Sequence, residues 1–374
     1  MSFTFGVFVA PFHPPTESPT VALERDLELA EMLDRLDIDE IWVGEHHSGG
    51  WGTIASPEVF IAAAAERTQR IRLGTGVVSL PYHHPMHVAS RIVLLDHLTR
   101  GRVTLGVGAG SLPSDACMLG IDPAARRRMM EESLAAIVHL LTDPEPLTAS
   151  TDWFALRDAT LQLRPYSPGG IPLAVASSAS PSGMRLAGRY GAMPLSLAAF
   201  YPGGLEALPQ QWDYAAEAAA EAGRELDRSA WRLVIPLHLA ESREQALRDV
   251  RAGGLLLLRD YFKGTLGLPV HFEHPNPDAD ELEAMIAIGA AIVGTPDDCV
   301  EGIARLQEVT GGFGGILAVS ADWAPRERIR ESFELLARHV VPRLRGSTLS
   351  LERSQRSVAE RRDELMAMTQ PVAR

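Results

Sequence analysis

Cysteine is scarce: Cys117 and Cys299 are the only two in 374 residues. Two thiols cannot build a disulfide framework or a cysteine-rich zinc site, which fits a reducing compartment. Positive charge is also short. The 35 lysines and arginines face 48 aspartates and glutamates, a formal net charge of −13, so the surface as a whole offers phosphate backbones or anionic lipid no attraction. No apolar run reaches the roughly 18 uninterrupted residues of a membrane span. Residues 1–12 lack the basic start and small-residue cleavage pattern of a signal peptide, and a cytoplasmic location without nucleic-acid or membrane partners is the expectation. What is present is ordinary globular material, 46% hydrophobic and 22% charged, enough for a large buried core.

Short β-branched runs alternate with amphipathic stretches. Strands are expected at residues 3–10, 38–44, 71–80 and 103–108, followed by helices at 21–36, 57–68, 86–98 and 123–141. Leu23, Leu27, Ala30 and Leu33 share one face of the first helix, and Asp122-Pro123 is a good helix start. The stretch 142–166, with Pro144, Pro146 and Pro165, reads as an insertion holding a small hairpin around 153–163. The alternation then resumes, with strands at 171–176, 193–198, 231–239 and 315–320 and helices at 182–190, 205–223, 242–253, 279–292, 297–310 and 325–344. Eight strands suit a (β/α)8 TIM barrel or a doubly wound α/β sheet, and the strand count with the even early spacing favours the barrel, with insertions after strands four and seven. Residues 254–278 are too long and apolar for a connector and are expected to form a lid. One barrel over 1–345 and a charged tail over 346–374, packed outside it or against a second subunit, complete the expected organisation, and a homo-oligomer is expected.

In such a barrel function sits where the strands end. Strand two ends in Glu45-His46-His47, where a histidine can act as general base or proton donor, or simply order a loop. Strand three runs into His83, His84 and His87, but Pro85 interrupts them and no HExxH pattern exists, so no metal is assigned. Strand four yields Gly106-Val107-Gly108-Ala109-Gly110-Ser111, which misses the dinucleotide fingerprint at its sixth place and lies far from the first strand. Its glycines admit a flat or phosphorylated ligand, or make a tight turn. After strand five, Ser177, Ser178, Ala179, Ser180 and Ser182 open a helix, where hydroxyls and free N–H groups can hold a phosphate.

The motifs together carry a resemblance. Gly44-Glu45-His46-His47, the run from Leu73 to Val78 continuing through Pro81 and His84-Pro85, and Leu95-Asp96 with Gly101-Arg102 resemble the bacterial-luciferase-like flavin-dependent monooxygenases over about residues 1–345. Within that family, 44–51, 62–85 and 111–116 are most similar to its limonene 1,2-monooxygenase members. The resemblance implies a TIM barrel that binds reduced FMN at the C-terminal strand ends. It also implies reaction of that flavin with O2 to a C4a-peroxide, oxygenation of a hydrophobic substrate such as a terpene, ketone or natural-product intermediate, and supply of the flavin by a separate reductase. Carried over residue by residue, His46 matches the catalytic histidine, and Gly76-Val77, beside Thr75, matches a non-proline cis peptide beneath the flavin ring. Ser178 matches a phosphate contact, with Ser177, Ala179 and Ser180 in the same loop, and Arg127 matches an arginine reaching the phosphate. Two positions depart from luciferase: Ala109 replaces a phosphate-binding arginine and Ser177 an acidic residue, which leaves the serine loop and Arg127 to carry the clamp. Deazaflavin (F420) oxidoreductases and a luciferase subunit without activity share this barrel. Glu45-His46-His47 speaks against the first and His46 against the second.

Overall fold

The computed structural model describes residues 3–368 except 11, 179, 198–200, 202, 269, 271, 273 and 275. Eight parallel strands form a closed barrel: Thr4–Val9, Glu40–Val43, Arg72–Thr75, Val103–Gly108, Leu173–Ser177, Met193–Ser196, Arg232–Leu239 and Gly315–Ser320. Each pairs with the next, and the ring is shut by the first strand lying against the eighth, from Thr4 opposite Gly315 to Val9 opposite Ser320. Closure suits strands with two apolar faces. Arg232–Leu239 is buried at every position, a pattern that an open edge would expose to water.

Inside the ring lie Phe8, Trp42, Ala174, Leu195, Val234 and Leu317, while Ile41, Leu33 and Ile61 belong to the layer between strands and helices. The N-terminal end of the barrel is tied by a buried ion pair, Arg232 Nε to Glu40 Oε1 at 2.7 Å, with Arg232 also donating to Ser229 O and Thr4 Oγ1. Strand three is broken after Thr75 and resumes as Val78–Ser79 beside Val107–Gly108. Across the break Thr75 Oγ1 donates to Gly106 O at 2.7 Å and accepts from Gly106 N at 2.8 Å, so a side chain supplies the missing ladder bonds. Only glycine fits opposite it: a methyl at Gly106 would lie 2.0 Å from Thr75 O.

Between strands four and five run the helices Pro113–Met118 and Arg126–Thr142 and an antiparallel hairpin, Leu147–Ser150 with Ala155–Ala159. The hairpin begins and ends earlier than the expected 153–163. Two expectations differ more. The helix expected to stop at 253 continues as Arg243–Leu256 and then as a π-helical segment, Leu257–Thr265. Gly253 lies within this helix at a close contact, since a methyl there would stand 2.5 Å from Trp323 O. The helix expected over 279–292 is only Glu281–Ala287, opened by an Asp280–Glu283 capping box. Gly289, at φ +81°, turns the chain into a short strand, Ile292–Gly294, beside the outer end of strand seven. Beyond the barrel, Leu349–Glu360 and Arg362–Met368 form helices with no buried residue. Among the described residues no helix is long and apolar enough to cross a membrane.

Candidate active site

The C-terminal ends of strands three and four are rich in glycine, at 74, 76, 106 and 108, and the side chains of Phe8, Trp42 and Val77 pack closely onto these positions. Gly74 lies against the Trp42 indole so closely that a methyl there would be 2.5 Å from the ring, and a methyl at Gly108 would be 2.6 Å from Val77 Cγ2. Between them the Gly76-Val77 peptide is cis, as the resemblance implied, and Thr75 is fully buried beside it.

Strand two delivers the histidines, and the structure gives them different work. Glu45, its side chain fully buried, accepts from His47 Nε2 at 2.9 Å, from His83 Nε2 at 2.8 Å and from Ser79 N at 2.8 Å. Burial pushes the Glu45 carboxyl up, but these donors outweigh it and hold the group below the usual range. The bond to Glu45 raises His47 against the opposing effect of burial. His47 is therefore the residue that orders the loop. His46 is not pinned in this way: its ring stacks on Phe12 at 5.8 Å, and Nδ1 is buried without a hydrogen-bond partner among the described residues. Asp115 Oδ2 lies 3.7 Å from that nitrogen, beyond hydrogen-bond range but close enough to tighten when a ligand closes the site.

Asp115 is held by Ser48 Oγ at 2.5 Å and by His47 N at 3.2 Å, both to Oδ1. Burial raises its carboxyl, and His46, Ser48 and the His47 amide more than offset that, so it stays ionised below the ordinary range. Sequence reasoning did not single out Asp115. Its one local signal is an acidic residue in the first turn of Pro113–Met118.

The histidines adjacent in sequence do not gather. His84 caps Pro85–Thr99, its Nδ1 accepting from Met86 N, and His87 meets it edge-on. Among the described residues, the trio whose atoms are close enough to hold an ion is Glu45, His47 and His83. Arg91 Nη2 donates to His83 Nδ1 at 3.4 Å, which leaves the His83 proton on Nε2, the atom an ion would need.

At the expected phosphate end, Ser177 Oγ donates to Ser180 O at 3.2 Å, and the Ser180 and Ser182 hydroxyls bond each other at 3.0 Å. Ser177 and Ser180 thus shape the loop, and Gln211 Nε2 holds it by donating to Ser178 O. Ala179 lies outside the described residues. Ser180 is the N-cap of Pro181–Tyr190 yet makes no side-chain cap bond, leaving N–H groups of the first turn available to an anion. Arg127 is exposed. The guanidinium that reaches the mouth is that of Arg126, with Nη1 donating to Gly110 O at 2.8 Å. Three consecutive arginines give no sequence signal for which one faces inward.

The family model of luciferase-like monooxygenases matches residues 3–311. The chain is 55% identical, over 96% of its own length and 96% of the relative's, to a 4-hydroxyprotoasukamycin monooxygenase of Streptomyces nodosus subsp. asukaensis. It is 49% identical, over 91% of its own length and 87% of the relative's, to a limonene 1,2-monooxygenase of Rhodococcus erythropolis. Among solved structures it is similar to the oxygenating constituent of 3,6-diketocamphane monooxygenase of Pseudomonas putida, a type II Baeyer-Villiger monooxygenase in complex with FMN. That similarity has a TM-score of 0.76 and 29% identity, over 91% of this chain and 99% of that one. An F420-dependent secondary alcohol dehydrogenase, at 22% identity and TM-score 0.66 over 91% of this chain and 98% of that one, shares the fold. With the closed barrel and the strand-end motifs already in place, these matches make the chain a member of the luciferase-like monooxygenase family.

Proposed function

We propose that the chain is the oxygenating component of a two-component system, taking reduced FMN from a separate flavin reductase and using O2 to put one oxygen atom into a hydrophobic organic substrate. The observation that carries this reading is the convergence at one barrel end of the glycine-rich segments Gly74–Val77 and Gly106–Gly108, the N-terminus of Pro181–Tyr190 without a side-chain cap, and His46 beside Asp115. These residues fit FMN: the glycine-rich backbone at the ends of strands three and four offers a flat ring a close approach, and the helix start offers the phosphate N–H donors. We place Ser178 and the neighbouring N–H groups on the phosphate, with Thr75, Gly76 and Val77 under the ring. The role given to Arg127 extends to Arg126, whose guanidinium already reaches the mouth.

Bound reduced flavin would supply the activation of O2, and the protein supplies the surroundings. The helical segment over residues 243–265 and its aromatic residues keep water from the reacting atoms. His46 holds or moves a proton at the substrate oxygen, and Asp115 orients it. The test is oxygen uptake and product formation with FMN and NAD(P)H, with and without an added flavin reductase, and with reduced F420 as a separate arm. Turnover is expected only with FMN and the reductase. Efficient turnover with NAD(P)H and FMN alone would refute the two-component reading, and turnover with F420 would refute FMN.

A further inference from the structure

We propose that the Tyr261 hydroxyl is a substrate-binding donor, and that the substrate carries an oxygen acceptor, as a cyclic ketone, enone or quinone does, at the wall beside His46. The inference rests on the monooxygenase reading above and narrows its substrate class. Tyr261 lies in the π-helical segment Leu257–Thr265 and is fully buried, yet its hydroxyl has no hydrogen-bond partner among the described residues. It is wrapped by aromatic rings from two other loops: Phe12 at 4.8 Å, after strand one, and Trp51 at 5.4 Å, after strand two. Phe12 is the ring on which His46 stacks, so the Tyr261 ring stands one aromatic contact from His46, beside the candidate active site. A second buried hydroxyl without a partner, Thr53 Oγ1, is on the Trp51 loop.

Native proteins leave few buried polar atoms unpaired, and those they keep generally have a ligand, water or ion to meet. Burial, reinforced by the charge of Asp115, pushes the phenol up, so it stays protonated and can only serve a ligand by donating or accepting as a neutral O–H. A π-helical stretch is itself frequent at functional sites, because it turns side chains out of the α-helical register. An alkene lacking oxygen would leave this hydroxyl unpaired beneath it, whereas a carbonyl would satisfy it. A site built to bond one oxygen discriminates strongly against the analogue without it.

The test uses hydrocarbon and ketone pairs of matched skeleton: limonene and carvone, p-menthane and menthone, cyclohexene and cyclohexenone. Affinities are measured calorimetrically on the FMN-loaded protein without reductant, so that no turnover intervenes. At least one ketone is expected to bind tenfold or more tightly than its hydrocarbon partner. Tyr261→Phe should remove that preference by weakening the ketone alone. The melting temperature should not fall, because the variant loses only an oxygen that has no partner in the fold. Absence of a ketone preference in every pair, or a preference that survives Tyr261→Phe, overturns the proposal. Anaerobic titration with reduced FMN is scored separately: its failure refutes the flavin reading, whereas Tyr261→Phe should leave that affinity unchanged.

Discussion

Replacing Asp115 by Asn tests whether His46 works through a neighbouring charge. The amide keeps an oxygen that can accept from Ser48 Oγ and His47 N, the two bonds that place this side chain, and so perturbs little except charge. At the observed 3.7 Å an imidazolium and a carboxylate attract by roughly 4 kcal/mol at an effective dielectric near 20, against about 1 kcal/mol in water. The side chains are only 14% and 2% exposed, which puts the interaction nearer the first figure. If His46 carries positive charge in the rate-limiting transition state, Asp115→Asn should lower kcat about 10²- to 10³-fold, or ~2.7–4 kcal/mol. Reduced-FMN affinity should change by no more than a few-fold. The assay is stopped-flow turnover with photoreduced FMN across pH 5–9, with anaerobic flavin titration alongside. Since the two residues act as one unit, His46→Ala combined with Asp115→Asn should be no slower than His46→Ala alone. A kcat within threefold of the parent, or additive losses in the double variant, would refute the coupling.

Ser178→Asp should weaken reduced-FMN binding tenfold or more, about 1.4 kcal/mol, by setting a carboxylate against the phosphate at the start of Pro181–Tyr190; an unchanged fluorescence titration would move the phosphate elsewhere. Gly106→Ala should destabilise by about 3 kcal/mol or more in chemical denaturation, because the methyl meets Thr75 O at 2.0 Å and forces apart the Thr75–Gly106 bonds; a loss under 1 kcal/mol would contradict the packing. His13 bonds Asp322 at 2.5 Å and Asp26 at 2.9 Å. Burial lowers it, but the two carboxylates outweigh that and raise it to about 9. Its folded value exceeds the unfolded one, so its stabilisation is complete below pH ~6.5 and declines as pH rises through about 9. Melting temperatures of the parent and His13→Asn should therefore converge between those limits, and a constant gap would show that His13 acts without its charge.

Local pattern determined much of this protein. Runs such as 103–108 and 315–320 are apolar over a strand's length and bounded by turn residues, so all eight barrel strands could be placed before any pairing was known. Position relative to the strands was legible too: His46 falls just past strand two, Gly76-Val77 past Arg72–Thr75, and the serines at the end of strand five. Tertiary structure decided what depends on distant neighbours. The helix expected to end at 253 runs on to Leu256, and Gly253 is in the fold a close contact with Trp323. Arg126, Arg127 and Arg128 are chemically alike, and only the packing of their helix turns the first toward Gly110. Asp115 and Tyr261 lie far along the chain from His46, and barrel closure brings them to it by setting the strand ends side by side. Periodicity reports which face of an element is buried; which polar atoms meet on that face is fixed only when all eight strands share one ring.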